Sequence, residues 1–263
     1  MGGISQSRYK NFKFSCVRGK RVKQQQIGFC KLLLGDCHEL MRDLPQQDLI
    51  FLDPPFDEWV DMTLPEWQSL ICFTNFQNRE KVTDQFGKPR SEIIWHFKDG
   101  RWVSNTLPLV CHETILIYGN TNQADVGITN KDAGIEIKKG KSYIGKDQNL
   151  GTRRYIPKQR KQLKSVYEHP RMNKDHLGSW TKPLPLIHQL TEFCAKTSVL
   201  DLFMGSGTMG IVCNKLGLNY IGVEKDERIF EMACKRIYQE NLQMDFFTPK
   251  SESPLEVPTF EGY

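Results

Sequence analysis

The segment SVLDLFMGSGTMG, at residues 198–210, decides the fold predicted for this chain. Its apolar start predicts a strand, and its glycines predict a tight turn that lets the backbone approach a ligand before a helix begins. A second apolar strand, Tyr220–Val223, ends at Glu224, which lies 19 residues after Gly205. A carboxylate in this place can accept hydrogen bonds from both ribose hydroxyls of a nucleoside cofactor. The pattern alone is compatible with more than one class of enzyme.

A sharper signal follows the apolar run Leu49–Leu52, where the chain reads Asp53-Pro54-Pro55-Phe56. A run that is apolar at every position fits a strand buried on both faces of a parallel sheet, and prolines end it because they cannot extend the hydrogen-bond ladder. Open α/β sheets bind ligands at the carboxyl ends of their strands. There, Asp53 and the Pro54 carbonyl can each accept one N–H of an exocyclic amino group, and Phe56 can stack on a base. The alternative is a plain turn with a capping Asp and a core Phe.

Strands and helices alternate along much of the chain, which predicts an α/β fold with a mostly parallel sheet. Pro183 is placed near the start of one predicted helix, and Asp226 caps another. Further strands are predicted at Ile27–Leu34, Ser69–Phe73, Glu92–Phe97 and Glu113–Tyr118.

The composition is that of an ordinary globular protein, with 263 residues of which 39% are hydrophobic and 25% charged. The sequence contains no run of 18 apolar residues, so no membrane span is predicted. The N-terminus has no apolar signal-peptide core, so a cytoplasmic location is expected. The eight cysteines are scattered without a Cys-x-x-Cys pair. Neither a disulfide framework nor a metal site is therefore predicted.

Residues 120–175 form a basic stretch with little periodicity, which predicts an inserted module. Between Lys131 and Asp175, thirteen Lys and Arg residues stand against five Asp and Glu residues. Such an excess favours a polyanion such as nucleic acid as partner, although a solvated loop is the alternative. The residues predicted to contact phosphates are Lys138, Lys139, Lys141, Arg153, Arg154, Arg160 and Lys161.

Several of these motifs resemble those of S-adenosylmethionine-dependent amino-methyltransferases. Asp53 to Phe56 is similar to the catalytic motif of that group, and residues 201–208 are similar to its cofactor loop. Because the catalytic motif comes first and the basic stretch lies between the two, the order resembles the β class of DNA amino-methyltransferases. Three shorter segments resemble family motifs that contact the cofactor's adenine, methionine part and ribose, and these are Leu34–Cys37, Thr181–Pro183 and Gly222–Glu224.

The resemblance implies a Rossmann-like methyltransferase sheet, permuted so that the cofactor half is C-terminal. It divides the chain into N-terminal strands with the catalytic half (1–119), a DNA-recognition insert (120–175), a cofactor half (176–246) and a loosely ordered tail (247–263). DNA is the implied partner, a homodimer is compatible with the resemblance, and neither a metal nor a membrane is expected. The implied S-adenosylmethionine contacts are Asp36, Cys37, Lys182, Asp201, Phe203, Gly205, Ser206, Gly207, Thr208 and Glu224.

The resemblance further implies direct methyl transfer to N6 of an adenine that is flipped out of the duplex, with Asp53, Pro54, Pro55 and Phe56 as the catalytic turn. Family members that methylate N4 of cytosine usually carry Ser where this chain has Asp53, so adenine is favoured. The family more often has Tyr at position 56 and Pro at position 202. Phe56 keeps the stacking face and loses the hydroxyl. No Pro-Cys pair exists for cytosine-C5 chemistry.

Other functions stay open from the sequence. An N4-cytosine methyltransferase, or one that acts on RNA or a protein amide, would keep both motifs. A nicotinamide dehydrogenase would keep the glycine turn and leave the turn at Asp53 unexplained. A non-catalytic DNA-binding module would need only the basic stretch. Family membership would also place the protein in restriction–modification.

Overall fold

The computed structural model describes residues 12–17, 20–55, 62–101, 105–106, 108–119, 136–138, 152–154, 163–171 and 181–247. The strands are β1 (Lys13–Val17), β2 (Lys20–Ile27), β3 (Cys30–Leu34), β4 (Leu49–Leu52), β5 (Ser69–Thr74), β6 (Ser91–Arg101), β7 (Val110–Gly119), β8 (Glu136–Lys138), β9 (Thr152–Arg154), β10 (Val166–Glu168), β11 (Ser198–Asp201) and β12 (Asn219–Glu224). The helices are α1 (Cys37–Leu40), α2 (Arg79–Phe86), α3 (Leu184–Cys194), α4 (Thr208–Leu216) and α5 (Glu227–Phe247), with one 3-10 turn at Met41–Asp43.

Ten of these strands form one sheet in the order β1-β2-β3-β12-β11-β4-β5-β7-β6-β10. The five central strands are all parallel to one another, and these are β3, β12, β11, β4 and β5. Strands β2 and β7 run against the other eight, because each pairs antiparallel with both of its neighbours. The mostly parallel α/β fold predicted from the sequence is therefore confirmed. Strands β8 and β9 form a separate antiparallel pair within the basic stretch.

Apolar side chains bury both faces of the central strands, as the sequence of β4 requires. Leu49 and Phe51 lie in the core cluster that includes residues of α3, α4 and α5, whereas Ile50 and Leu52 lie in a second cluster with residues of α1 and α2. This division follows from the two-residue period of a strand. Each fully buried side chain of this kind contributes about 1.5–3 kcal/mol to folding. The helices therefore cover the sheet on both sides and leave its strand ends for the site.

The register between β4 and β11 brings distant motifs to one edge of the sheet. Phe51 pairs with Asp201 in parallel strands, so both strands end at the same level. Asp48 fixes the starts of these strands, because its Oδ2 accepts hydrogen bonds of 2.7 Å from the backbone N–H of Lys196 and of Thr197. The turn after β4 and the glycine loop after β11 are consequently neighbours, as the permuted fold predicts.

One predicted strand is wrong. The segment Ile27–Leu34 is not a single strand, because the chain turns at Gly28 and pairs Ile27 with Cys30 in antiparallel strands β2 and β3. Gly28 has a φ of 56°, a backbone conformation that favours glycine. A Cβ atom there would lie 2.8 Å from Oδ1 of Asn214, so the hairpin packs closely against α4. Among the described helices, none is long and apolar enough to cross a membrane.

Candidate active site and cofactor site

The turn after β4 places Asp53 at the carboxyl end of a central strand. Its side chain is only 17% exposed, Pro54 is buried and Pro55 is exposed. Phe56, the fourth residue of the predicted catalytic turn, lies outside the described residues. A substrate amine needs only one accessible carboxylate oxygen to accept its N–H. The partly exposed position of Asp53 is therefore compatible with the predicted chemistry.

Lys182 reaches the same turn from the other half of the chain. Its Nζ lies 2.8 Å from Oδ1 of Asp53 and 3.2 Å from Oε2 of Glu113, and its side chain is 8% exposed. The ammonium also lies 5.0 Å from the ring centre of Phe73 and 5.8 Å from that of Trp95, distances at which aromatic faces attract a cation. The structure thus brings Lys182 to the catalytic turn. The resemblance had assigned it to the methionine part of the cofactor.

Burial and charge act together on the ionisation of this cluster. Burial raises the pKa of Asp53, the positive charge of Lys182 opposes that rise, and the negative charge of Glu113 adds to it. Burial alone would lower the pKa of Lys182, but the attraction of Asp53 and Glu113 outweighs it and raises that pKa above its ordinary value. Lys182 therefore stays charged, and it is the group that stabilises the carboxylate form of Asp53.

The glycine loop after β11 contacts Glu224 at the end of β12. The N–H of Gly205 donates a 2.9 Å hydrogen bond to Oε2 of Glu224, and the N–H of Asp226 donates to Oε1 at 2.9 Å. Gly205 and Gly207 have φ angles of 52° and 77°, which only glycine adopts readily. A Cβ atom on Gly207 would lie 2.8 Å from Cδ1 of Ile237, whereas one on Gly205 would meet only a carbonyl oxygen at 3.8 Å. The space beside Gly205 is therefore open to a ligand.

The segment predicted to contact a cofactor adenine lies next to this carboxylate. The N–H of Gly35 donates to the Glu224 backbone carbonyl at 2.9 Å, which joins the ends of β3 and β12. Asp36 follows at once and caps α1, because its Oδ1 accepts from the His38 N–H at 2.8 Å. Cys37 is buried, and burial raises the pKa of its thiol to about 11. The sheet thus gathers three segments with predicted cofactor contacts, those of Asp36, Gly205 and Glu224, at one edge.

Asp201 is a buried carboxyl at the start of the loop. Its Oδ2 accepts a 3.0 Å hydrogen bond from the Tyr220 hydroxyl, and its Oδ1 accepts one of 3.1 Å from the Phe203 N–H. Burial raises the pKa of Asp201 to about 7, although both hydrogen bonds act in the opposite direction. Asp201 therefore fixes the start of the loop through its hydrogen bond with the Phe203 N–H.

Arg236 is a residue of the loop's surroundings that the sequence analysis missed. Its Nη1 donates to the Ser206 carbonyl at 3.0 Å, to the Ser206 hydroxyl at 3.1 Å and to the Thr208 hydroxyl at 2.8 Å. Burial lowers the pKa of this guanidinium, and Glu240 partly offsets that effect. An available signal was its place between Ala233 and Ile237, which are both core positions of α5. An arginine on the apolar side of a helix needs polar partners.

Three of the seven predicted DNA contacts lie in strands β8 and β9. The backbone of Lys138 lies in β8, and those of Arg153 and Arg154 lie in β9, where Ile137 pairs with Arg153. The other predicted phosphate contacts lie outside the described residues, and these are Lys139, Lys141, Arg160 and Lys161.

Comparison with known proteins identifies the class of enzyme to which this chain belongs. A family described as DNA methylase, the N6/N4 methyltransferase family, matches residues 64–235. The type II methyltransferase M.HinfI of Haemophilus influenzae is 27% identical over 260 aligned residues, which cover 78% of this chain and 67% of M.HinfI. The chain therefore belongs to the N6/N4 DNA methylase family, and it is an S-adenosylmethionine-dependent DNA amino-methyltransferase.

Solved structures agree on the fold. The M1.HpyAVI complex with S-adenosylmethionine has a TM-score of 0.53 at 20% identity, over 79% of this chain and 99% of that one. The cytosine-N4-specific PvuII DNA methyltransferase has a TM-score of 0.52 at 13% identity, over 81% of this chain and 93% of that one. At these identities the likeness establishes the Rossmann-like methyltransferase fold.

Proposed function

We propose that this enzyme methylates N6 of adenine in DNA, with Asp53 as the residue that binds the target amino group. The observation that carries the proposal is the identity and place of Asp53, a largely buried carboxylate that follows β4 directly and lies beside the glycine loop. A family that includes N6 and N4 enzymes leaves the base open, and the fold is shared with a cytosine-N4-specific enzyme. The choice of adenine therefore rests on Asp53.

The chemistry follows from what the target amine needs. Its nitrogen lone pair is delocalised into the ring, which makes it a poor nucleophile. Hydrogen bonds from its two N–H groups to Asp53 and to the Pro54 carbonyl would favour the tetrahedral nitrogen and aim its lone pair outward. Phe56 would stack on the flipped base. Catalysis by this turn is thus mainly positioning and preorganised electrostatics.

S-adenosylmethionine supplies an electrophilic methyl group when it is bound. The residues present fit it, because the space beside Gly205 is open and the Glu224 carboxylate lies against the Gly205 N–H. We assign ribose binding to Glu224, adenine binding to Asp36 and Cys37, and the remaining contacts to the loop residues. These are Asp201, Phe203, Gly205, Ser206, Gly207 and Thr208.

The partners of the reaction are also proposals. Residues 120–175 would hold the DNA backbone, with the lysines and arginines that the sequence analysis names as phosphate contacts. The division of the chain into four segments, the homodimer and the cytoplasmic location stay predictions. The type II methyltransferase M.HinfI supports a modification role within restriction–modification.

Transfer of a tritiated methyl group to DNA, followed by nucleoside analysis, tests the base assignment. The expected product is N6-methyladenine. N4-methylcytosine would overturn the choice of adenine and keep the role of the turn. Parallel reactions with single-stranded RNA of the same sequence test the alternative substrate, and faster transfer to RNA would contradict the DNA assignment.

A further inference from the structure

We propose that Asp53, Lys182 and Glu113 act as one buried charge triad, in which Lys182 and Glu113 are positioning residues for methyl transfer. Lys182 holds Asp53 in the orientation and the ionised form that the target amine requires, and Glu113 holds Lys182. This inference rests on the proposed role of Asp53 and assigns Lys182 to the substrate side of the site.

The geometry of the triad depends on three neighbouring strands. Glu113 of β7 pairs directly with Trp95 of β6, and Ile115, two residues further along β7, pairs with Phe73 of β5. Residues two apart in a strand share a face, so the carboxylate and both aromatic rings lie on one side of the sheet. Lys182 contacts all three from outside the sheet. The pocket for its ammonium is therefore built by β5, β6 and β7.

The charge balance explains why all three groups are present. Two carboxylates and one ammonium in a largely buried site carry a net charge of −1, which would complement the positive sulfonium of a bound cofactor. Without the ammonium, the two carboxylates would be neighbouring like charges, and one of them would take up a proton. A protonated Asp53 is a poorer acceptor for an amine N–H. Lys182 thus maintains the form of Asp53 that does the chemistry.

The hydrogen-bond capacity of the groups supports the same assignment. Lysine has three N–H donors, and the Lys182 ammonium lies within ion-pair distance of Oδ1 of Asp53, at 2.8 Å, and of Oε2 of Glu113, at 3.2 Å. A carboxylate has two oxygens, so the ion pair at Oδ1 does not use the acceptor capacity of Oδ2, to which we assign the target amine.

The first experiment separates a positioning role from a cofactor contact. Lys182→Met and Glu113→Gln are compared with wild type for S-adenosylmethionine affinity, by calorimetry, and for single-turnover methyl transfer at saturating cofactor. We expect Lys182→Met to lower the rate by about 100-fold, as for loss of one preorganised polar partner, with cofactor affinity changed less than about threefold. Lys215→Met is the matched control, because Lys215 forms an ion pair with Glu240 at the far end of α4. A weaker cofactor affinity with a preserved rate at saturation would overturn the proposal.

The second experiment uses the pH dependence of the single-turnover rate, whose acidic limb reports protonation of Asp53. The charged or titratable groups that act on Asp53 or respond to it are Lys182, Glu113, Asp201 and Cys72. Lys182→Met removes a positive neighbour, so the limb should move to higher pH. Glu113→Gln removes a negative neighbour, so the limb should move to lower pH. Shifts in the same direction, or no shift in either variant, would contradict the triad.

Two further variants, Lys182→Arg and Asp53→Ala, and a second use of Glu113→Gln keep the test decisive. Lys182→Arg retains the positive charge and should restore most of the acidic limb that Lys182→Met displaces. Glu113→Gln leaves the Asp53–Lys182 pair intact, so it reports on the triad even if Lys182→Met fails to fold. Asp53→Ala separates failure of the proposed function from failure of the triad. If it stays fully active, the proposed function of the turn fails. If it is inactive while the Lys182 and Glu113 variants alter cofactor affinity alone, only the triad fails.

Discussion

At the scale of single residues, Asp53 is the group on which the proposed chemistry depends. Asp53→Ala should lower the methyl-transfer rate by roughly 100- to 1,000-fold, because it removes a preorganised acceptor of the target amine. Cofactor affinity should stay close to that of wild type, since Glu224 and the glycine loop lie on neighbouring strands β12 and β11. The remaining Lys182–Glu113 pair is neutral overall, so the variant should fold. Calorimetry with cofactor and a tritium-transfer assay measure the two effects, and a parallel loss of both would contradict this division.

The sequence and the structure differ in what they reveal about individual site residues. Asp53 and Glu224 could be named from the sequence, because each follows an apolar run at a strand end and fits a known kind of motif. The contact of Lys182 with Glu113 could not, because it depends on β7 lying between β5 and β6 in an antiparallel register. Pairings between distant strands are not encoded in local periodicity.

At the scale of elements, α5 holds the glycine loop through Arg236. Arg236→Ala should remove three hydrogen bonds to Ser206 and Thr208 and leave these polar groups with weaker partners. Each net hydrogen bond contributes about 1 kcal/mol, and only the bonds that hold the loop in its binding conformation affect the cofactor. Loss of one or more such bonds should lower cofactor affinity by roughly 10-fold or more. Calorimetry with S-adenosylmethionine measures the change, and Arg236→Lys should recover part of it.

The matched control for this helix is Arg228→Ala, because Arg228 lies exposed in the first turn of α5. It should leave cofactor affinity unchanged. Equal effects of Arg236→Ala and Arg228→Ala would show that general charge, and not the contact with the loop, matters.

The elements that the sequence predicts well are those with strong apolar patterns and clear ends. Strands β4 and β11 and helix α3 are of this kind, and each matches its prediction closely. Helix α2 was missed because Val82 is its one buried residue, so it carries little periodicity. The predicted strand Ile27–Leu34 runs across the β2–β3 turn because that turn contains a single glycine, Gly28, between apolar residues.

At the scale of the whole molecule, the basic stretch should govern how affinity for DNA depends on salt. Neutralising Arg153 and Arg154 together should weaken binding and reduce the slope of log affinity against log salt by roughly 0.9 for each lost phosphate contact on duplex DNA. Fluorescence anisotropy with a labelled duplex at several salt concentrations measures this slope. Lys215→Met should leave it unchanged. An unaltered slope in the double variant would mean that neither arginine contacts the backbone.

The free energy of unfolding of the whole protein should depend on pH through Asp201. Its pKa is raised from 3.8 to about 7 in the folded state, so the folded protein binds this proton more tightly than the unfolded chain does. The associated stability is fully present below about pH 3.8 and is lost as pH rises to about 7, for a total on the order of 4 kcal/mol. Asp201→Asn has no such proton to lose. The free energy of unfolding of wild type, relative to that of Asp201→Asn, should therefore fall as pH rises from 4 to 7.

The partner of Asp201 allows a direct check of this origin. The Tyr220 hydroxyl donates to Asp201 at 3.0 Å and lowers the pKa of that carboxyl. Tyr220→Phe keeps the ring and removes the donor, so the pKa of Asp201 should rise further. The loss of stability should accordingly extend to higher pH than in wild type, as measured by urea unfolding curves recorded from pH 4 to 9. If Tyr220→Phe moves the transition to lower pH, or if Asp201→Asn retains the full wild-type pH dependence, another group is responsible.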